Sequence, residues 1–295
     1  MFFKEWEVLL VDDDSDVTSI TKLAMRRFDV YGIPLRLTTA ASKAEAIKLL
    51  STSLEWMPLV AVAFVDVVME TDTAGLELCD YIRNTMGNKL TQIYIRTGQP
   101  GVAPERSVID DYDINGYFTK METTEDKLYS LVKAGIRQYL WNHFASGAMQ
   151  FFDRMIAAEG SRDTLAATAD QMLRGFVMTS GGDKPESMEA QSCLWIGGQE
   201  ISRLGIDRQA AQALRDRLSG LERRELGPGG DFFANDGHNN YLMHIASDDP
   251  ASEVVYVCNT QFRIPPFIMS VVYRVFASLS KAWQVSGATA AAAAN

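Results

Sequence analysis

The chain has 295 residues, 47% apolar and 22% charged, the balance of a globular protein with room for two domains. Its formal charge of -10 excludes the basic face that nucleic-acid binding requires, so no DNA partner is expected. No apolar run approaches the roughly 20 residues of a membrane span, and acidic residues arrive too early for a secretory signal. Cys79, Cys193 and Cys258 are widely spaced and read as reduced thiols, so a cytoplasmic location without a membrane partner is expected.

The first 120 or so residues alternate short apolar runs with amphipathic stretches. Strands are predicted at Trp6–Val11, Leu35–Thr39, Leu59–Val65, Gln92–Ile95 and Gly116–Phe118, with helices at Asp16–Arg27, Ser42–Leu50, Ala74–Thr85 and Pro104–Tyr112 between them. Such alternation predicts a parallel sheet covered on both faces, a doubly wound α/β domain. Ser42 and Glu45 have the spacing of a capping box.

From Thr123 the pattern changes to apolar residues three to five apart without Pro. A long connecting helix is expected over Thr124–Ala157, within a connecting segment at 124–159, leaving a first domain at 1–123. Its apolar face is expected to form a parallel homodimer seam that includes Tyr139, His143 and Phe152.

A second, α+β domain is expected at 160–285. It reads as helix Asp163–Met178, loop Gly181–Ala190, strand Ser192–Gly197, helix Asp207–Arg224, turn Gly227–Gly230, and strands Asn240–Ala246 and Glu253–Thr260. Pro265 then opens a last helix running to about Trp283. The Ala-rich tail 286–295 reads as disordered or as the end of a truncation. Arg215, Arg217, Arg223 and Arg224 alternate with Asp216, Glu222 and Glu225, the pattern of a solvated helix face.

The chemistry gathers at strand ends in the first domain. The first strand ends in Asp12-Asp13 and the third in Asp66. In a doubly wound sheet ligands collect outside the carboxyl ends of the strands. Carboxylates converging there need a divalent cation, and an all-oxygen site suits Mg2+. Asp66 is placed to attack phosphorus as the nucleophile. Thr97, after the fourth strand, and Lys120, after the fifth, can reach the same phosphoryl group with a hydroxyl and an ammonium.

The motifs Leu-Leu-Val-Asp-Asp-Asp and Phe-Val-Asp-Val-Val-Met, with Thr97 and Lys120, closely resemble the receiver domain of two-component response regulators over roughly residues 5–140. The resemblance implies a flavodoxin-like five-stranded parallel sheet, with Asp66 as phosphoacceptor. It implies Asp13 as direct metal ligand, Asp12 as its acidic neighbour and the Val68 carbonyl as a further ligand. Thr97 and Tyr117 become the switch pair, and the partner becomes a sensor histidine kinase or phosphotransfer protein. The chain departs from the family at two customary prolines, where it has Glu70 and Met121. Glu70 adds negative charge near the pocket.

Three further segments, Val-Met-Glu-Thr-Asp-Thr-Ala-Gly-Leu, Arg-Thr-Gly-Gln-Pro-Gly-Val-Ala-Pro-Glu-Arg and Asp-Tyr-Asp-Ile-Asn-Gly-Tyr, look like the receivers that precede an uncharacterised GAF-like domain in bacterial cyclic-di-GMP signalling regulators. That resemblance implies a GAF-like second domain, in a family where an HD-GYP phosphodiesterase, a diguanylate cyclase or a kinase often follows. No output enzyme is legible here. Gly181-Gly182-Asp183-Lys184 lacks the rest of a cyclase signature, and His143, His238 and His244 are too few for a bimetal phosphodiesterase site. Trp195, Phe232, Phe233 and Tyr241 either pack in a core or line a pocket.

The expected function is that of a response regulator without enzymatic output beyond its own phosphorylation and dephosphorylation. It would signal to an unknown downstream protein by contact or dimerisation. The alternatives are the regulatory part of a longer cyclic-di-GMP enzyme and a small-molecule sensor.

Overall fold

The computed structural model describes residues 5–51, 60–99, 105–158, 161–178, 191–227, 229–260 and 263–293. The chain divides into two compact units, Lys4–His143 and the chain from Phe144 onward. The predicted loop Gly181–Ala190, with Gly181-Gly182-Asp183-Lys184, lies outside the described residues.

In chain order the first unit holds β1 (Trp6–Val11), α1 (Ser15–Met25), β2 (Asp29–Val30), β3 (Ile33–Ala40), α2 (Lys43–Leu50), β4 (Val60–Val65), α3 (Ala74–Asp80), β5 (Gln92–Thr97), α4 (Glu105–Tyr112) and β6 (Gly116–Thr119). A π-helical stretch, Tyr81–Thr85, continues α3. The sheet order is β2-β3-β1-β4-β5-β6, and every pair from β3 to β6 is parallel. This is the doubly wound arrangement expected, with consecutive strands placed on both sides of β1. β4 and β5 are buried at every residue, as strands covered on both faces must be.

The short β2 was not predicted. It pairs antiparallel with β3 across Tyr31 and Gly32, both at positive φ, the geometry of a two-residue hairpin. The Asp29 carboxylate accepts the Gly32 N–H at 2.8 Å and holds that turn. Ser42 caps α2 as its spacing predicts, accepting the Glu45 N–H. The Glu45 carboxylate reaches one residue further back than a capping box requires, to the Ala41 N–H.

α5 (Glu125–Ala157) is one continuous helix, close to its predicted bounds, and the border between the units falls within it, after His143. The residues expected at a homodimer seam differ in exposure from their neighbours on the helix. Tyr139 is fully buried within a single chain, whereas Trp141, Met149 and Ile156 are exposed. Phe152 is half-buried against the second unit's core.

The second unit adds α6 (Arg162–Met178), β7 (Gln191–Ile196), β8 (Gln199–Leu204), α7 (Arg208–Ser219), β9 (Arg224–Glu225), β10 (Phe232–Asn235), β11 (Asn240–Ile245), β12 (Val254–Asn259) and α8 (Pro266–Ala293). Its antiparallel sheet runs β8-β7-β12-β11-β10-β9. Alternation along β7 sends Leu194 and Ile196 to a core shared with α5, α6 and α8, and Cys193 and Trp195 to a second core under α7. Residues 286–293, expected to be disordered, are helical. The reason is local, since Ala is the strongest helix former and nothing in the run stops α8. The predicted helix to Arg224 ends at Ser219, where Gly220 follows as the C-cap.

Candidate functional site

Parallel pairing on both sides of β1 sets the site. The Asp66 N–H donates to the Val11 carbonyl at 2.9 Å and the Asp12 N–H to the Ala40 carbonyl at 3.0 Å, so the residues just past β1 and β4 end at one level. Carboxylate oxygens of Asp12, Asp13 and Asp66 lie within 4.8 Å of one another. Asp12 and Asp66 are buried, while Asp13 is exposed.

Lys120 follows β6 and enters the same cluster. Its Nζ lies 2.6 Å from Asp66 Oδ2 and 2.9 Å from Asp12 Oδ2. Its backbone N–H donates to the Thr97 carbonyl at 2.8 Å, which ties the end of β6 to the end of β5. Burial raises the Asp12 carboxyl above its ordinary value, against the opposing pull of Lys120. Burial alone would lower the Lys120 ammonium, but its bonds to Asp66 and Asp12 outweigh that and raise it. Both shifts hold together because one ammonium serves two carboxylates. The second oxygen of Asp66, Oδ1, is buried and has no hydrogen-bond partner among the described residues.

Thr97 is fully buried and its Oγ1 accepts the Gln99 N–H at 3.0 Å. Tyr117 packs in the domain core with its hydroxyl unpartnered among the described residues, and burial, with Glu105 and Asp66 nearby, pushes that hydroxyl up. Val68 lies in the loop after β4, two residues past Asp66, and its carbonyl accepts no backbone hydrogen bond among the described residues. Glu70 accepts the Lys43 N–H at 3.0 Å, so its charge serves the N-terminus of α2.

Two contributors escaped the sequence reading. A Cβ at Gly75 would lie 1.8 Å from the Asp66 carbonyl oxygen, so only glycine lets α3 approach the loop that carries Asp66. The Thr-Ala-Gly segment held that signal, but a close backbone approach is invisible without coordinates. Arg96, the residue before Thr97, is buried beside the pocket and donates to the hydroxyls of Thr21 and Thr123, each at 2.6 Å.

Other candidates resolve into structure. His143 is half-buried against the Tyr139 ring, and burial pushes its imidazole down to about 4. His238 closes a polar turn with Asp236, and His244 stacks on Phe232 and pairs with Glu253. Trp195 and Phe232 belong to the core under α7, and Phe233 stacks on Tyr241. The cavity of about 450 Å3 in this unit has a different lining, including Asp231, Ser247, Asp248, Tyr273 and Lys281. The three cysteines are free and buried, each thiol pushed up to about 12.

No family model matches the chain. Over 134 residues, 45% of the chain, it is 43% identical to the 3'3'-cGAMP-specific phosphodiesterase 2 of Vibrio cholerae, and it spans 25% of that protein's length. A receiver domain from Clostridium thermocellum is 17% identical, with a TM-score of 0.37, and the match covers 45% of this chain and 95% of that one. The receiver domain of an HD domain-containing protein from Pseudomonas fluorescens is 16% identical, with a TM-score of 0.39, covering 48% of this chain and 95% of that one. Both of these solved structures are receiver domains, and each match covers somewhat less than half of this chain.

Proposed function

We propose that the first unit is the phosphoacceptor domain of a two-component response regulator and that Asp66 carries the phosphoryl group. One observation supports this above the rest. The carboxylates of Asp12, Asp13 and Asp66 converge at one sheet end, with Lys120 on Asp66 Oδ2 and with Asp66 Oδ1 buried and unpartnered. A buried carboxylate oxygen without a donor is available to act as a metal ligand or as a nucleophile.

The donor set is all carboxylate, with a backbone carbonyl available at Val68, and fits a hard divalent cation such as Mg2+. Asp13 and Asp66 would hold the metal directly, with Asp12 beside them. When bound, Mg2+ supplies positive charge to the phosphoryl oxygens. Asp66 Oδ1 attacks phosphorus in line and forms a new P–O bond. The P–N bond of a phosphohistidine, or the P–O bond of acetyl phosphate, breaks and the electron pair leaves with the donor. The Lys120 ammonium then stands opposite the added charge. Thr97 offers a hydroxyl and Tyr117 an unpartnered one, so both can move when Asp66 is modified.

The test is labelling by acetyl phosphate in Mg2+. Asp66→Ala is expected to take no label, and undiminished labelling would place the acceptor elsewhere. Asp13→Asn is expected to keep the fold and bind Mg2+ more weakly.

In this reading a sensor histidine kinase or phosphotransfer protein donates to Asp66, and α5 carries the change to a GAF-like second unit. The antiparallel sheet flanked by α6 and α8 supports the GAF-like assignment. Output is by protein contact, in a homodimer along α5. A second reading rests on the Vibrio cholerae likeness: the chain corresponds to the regulatory part of a longer cyclic-dinucleotide phosphodiesterase. Assaying the product of the complete gene for 3'3'-cGAMP hydrolysis separates the two.

A further inference from the structure

Arg96 holds a buried charge that the acidic site, as read above, does not use. Alternation along β5 turns its side chain to the face opposite Thr97, where it is 7% exposed. It forms no ion pair among the described residues, and burial pushes its guanidinium down, against the opposing pull of Asp12 and Asp66. A buried guanidinium without a contacting carboxylate is costly, so a role beyond packing is indicated.

Its two hydrogen bonds are directional. Nη1 donates to Thr21 Oγ1, whose own proton goes to the Val17 carbonyl of α1 at 2.8 Å. Nε donates to Thr123 Oγ1, whose proton goes to the Lys120 carbonyl at 2.9 Å. Each hydroxyl spends its single proton on a carbonyl and must accept from Arg96, so neither link survives without a donor at that position. Lys120 is therefore held at three atoms: its N–H on Thr97, its carbonyl through Thr123 on Arg96, and its Nζ on Asp66 and Asp12.

We propose that Arg96 is a positioning residue and fixed counter-charge of the acidic site: it sets the loop that aims Lys120 at Asp66, and its charge offsets part of the repulsion among the three carboxylates. This rests on the phosphoacceptor reading of Asp66. Its two parts have separable consequences. Losing the charge leaves the potential at the carboxylates more negative, so a divalent cation binds more tightly. Losing the hydrogen bonds leaves Lys120 poorly aimed, so phosphoryl transfer slows. A merely structural role would weaken both together.

The full chain is compared with Arg96→Met, Arg96→Lys and Thr123→Val, with Mg2+ affinity read by calorimetry and labelling by acetyl phosphate at saturating Mg2+. Arg96→Met is expected to bind Mg2+ roughly three- to tenfold more tightly and to label about tenfold more slowly. Arg96→Lys should return Mg2+ affinity to that of wild type. Thr123→Val should keep that affinity and label slowly. A folded Arg96→Met with weaker Mg2+ binding, or unchanged in both readouts, overturns the assignment. If Arg96→Met does not fold, Thr123→Val labelling at the wild-type rate overturns it. A wild type that takes no label sinks the phosphoacceptor reading instead, and Mg2+ affinity in the Arg96 variants then decides on its charge.

Discussion

Asp12 is 3% exposed, and burial raises its carboxyl above the ordinary 3.8 even with Lys120 alongside. A raised value means that folding favours the protonated form. Its contribution to stability is therefore full below the unfolded pKa and lost as pH rises through the folded one. Once ionised, the buried Asp12 burdens the fold, as groups held for function often do. Asp12→Asn is expected to be more stable than wild type at pH 7 in the absence of metal, by about 1 kcal/mol. The difference should shrink on acidification into the carboxylate range. Urea denaturation across that range checks it, and a variant less stable at neutral pH would refute it. The placement of Asp12, Asp13, Asp66, Thr97 and Lys120 at strand ends was legible in the sequence, because the end of an apolar run marks the end of a strand. Arg96 and Gly75 were not, because one acts through hydroxyls 75 and 27 residues away and the other through a backbone approach.

Among the elements, those that bury both faces were the easiest to read. β4 is Val-Ala-Val-Ala-Phe-Val and needs no context to be a strand. β8, Gln-Glu-Ile-Ser-Arg-Leu, is half-polar and forms because Gly197 and Gly198, both at positive φ, fold it back on β7. The Gly-Gly pair was its only local signal. For α5 the sequence showed an apolar stripe but not which part of it the chain itself covers. Tyr139 is covered, whereas Met149 and Ile156, seven apart, are 67% and 81% exposed. A spacing of seven keeps both on one helix face, as a coiled-coil seam requires. In the proposed homodimer, Met149→Glu with Ile156→Glu is expected to give a folded monomer. The effect on the single chain should stay within about 0.5 kcal/mol for each exposed site. Sedimentation of wild type and double variant checks this, and a monomeric wild type removes the dimer.

At the scale of the whole molecule, the two-unit division lets binding be assigned to one part by its thermodynamics. The carboxylate cluster lies wholly in Lys4–His143, while Ala148 and Phe151 of α5 belong to the core of the second unit. The shared helix thus has Ala148 and Phe151 in the second unit's core, and unfolding of the first unit is expected to leave the packing around them in place. Two unfolding transitions are expected in denaturant, and Mg2+ should move only one. The shift follows RT ln(1 + [L]/Kd), about 2.7 kcal/mol at a hundred times Kd. Asp13→Asn should lose most of that shift without moving the second transition, which makes it the control for the assignment. Fluorescence alone would blur the result, because tryptophans lie in both units, with Trp6 in the first and Trp195 and Trp283 in the second. Hydrogen exchange read by peptide separates them: protection should rise with Mg2+ across β1, β4 and β6 and stay level across β7, β11 and β12. A single transition that moves as a whole with Mg2+ would instead show that α5 joins the two units into one cooperative body. In the proposed relay, the effect of modifying Asp66 would then reach the second sheet through global stability rather than through a local change at the start of the helix.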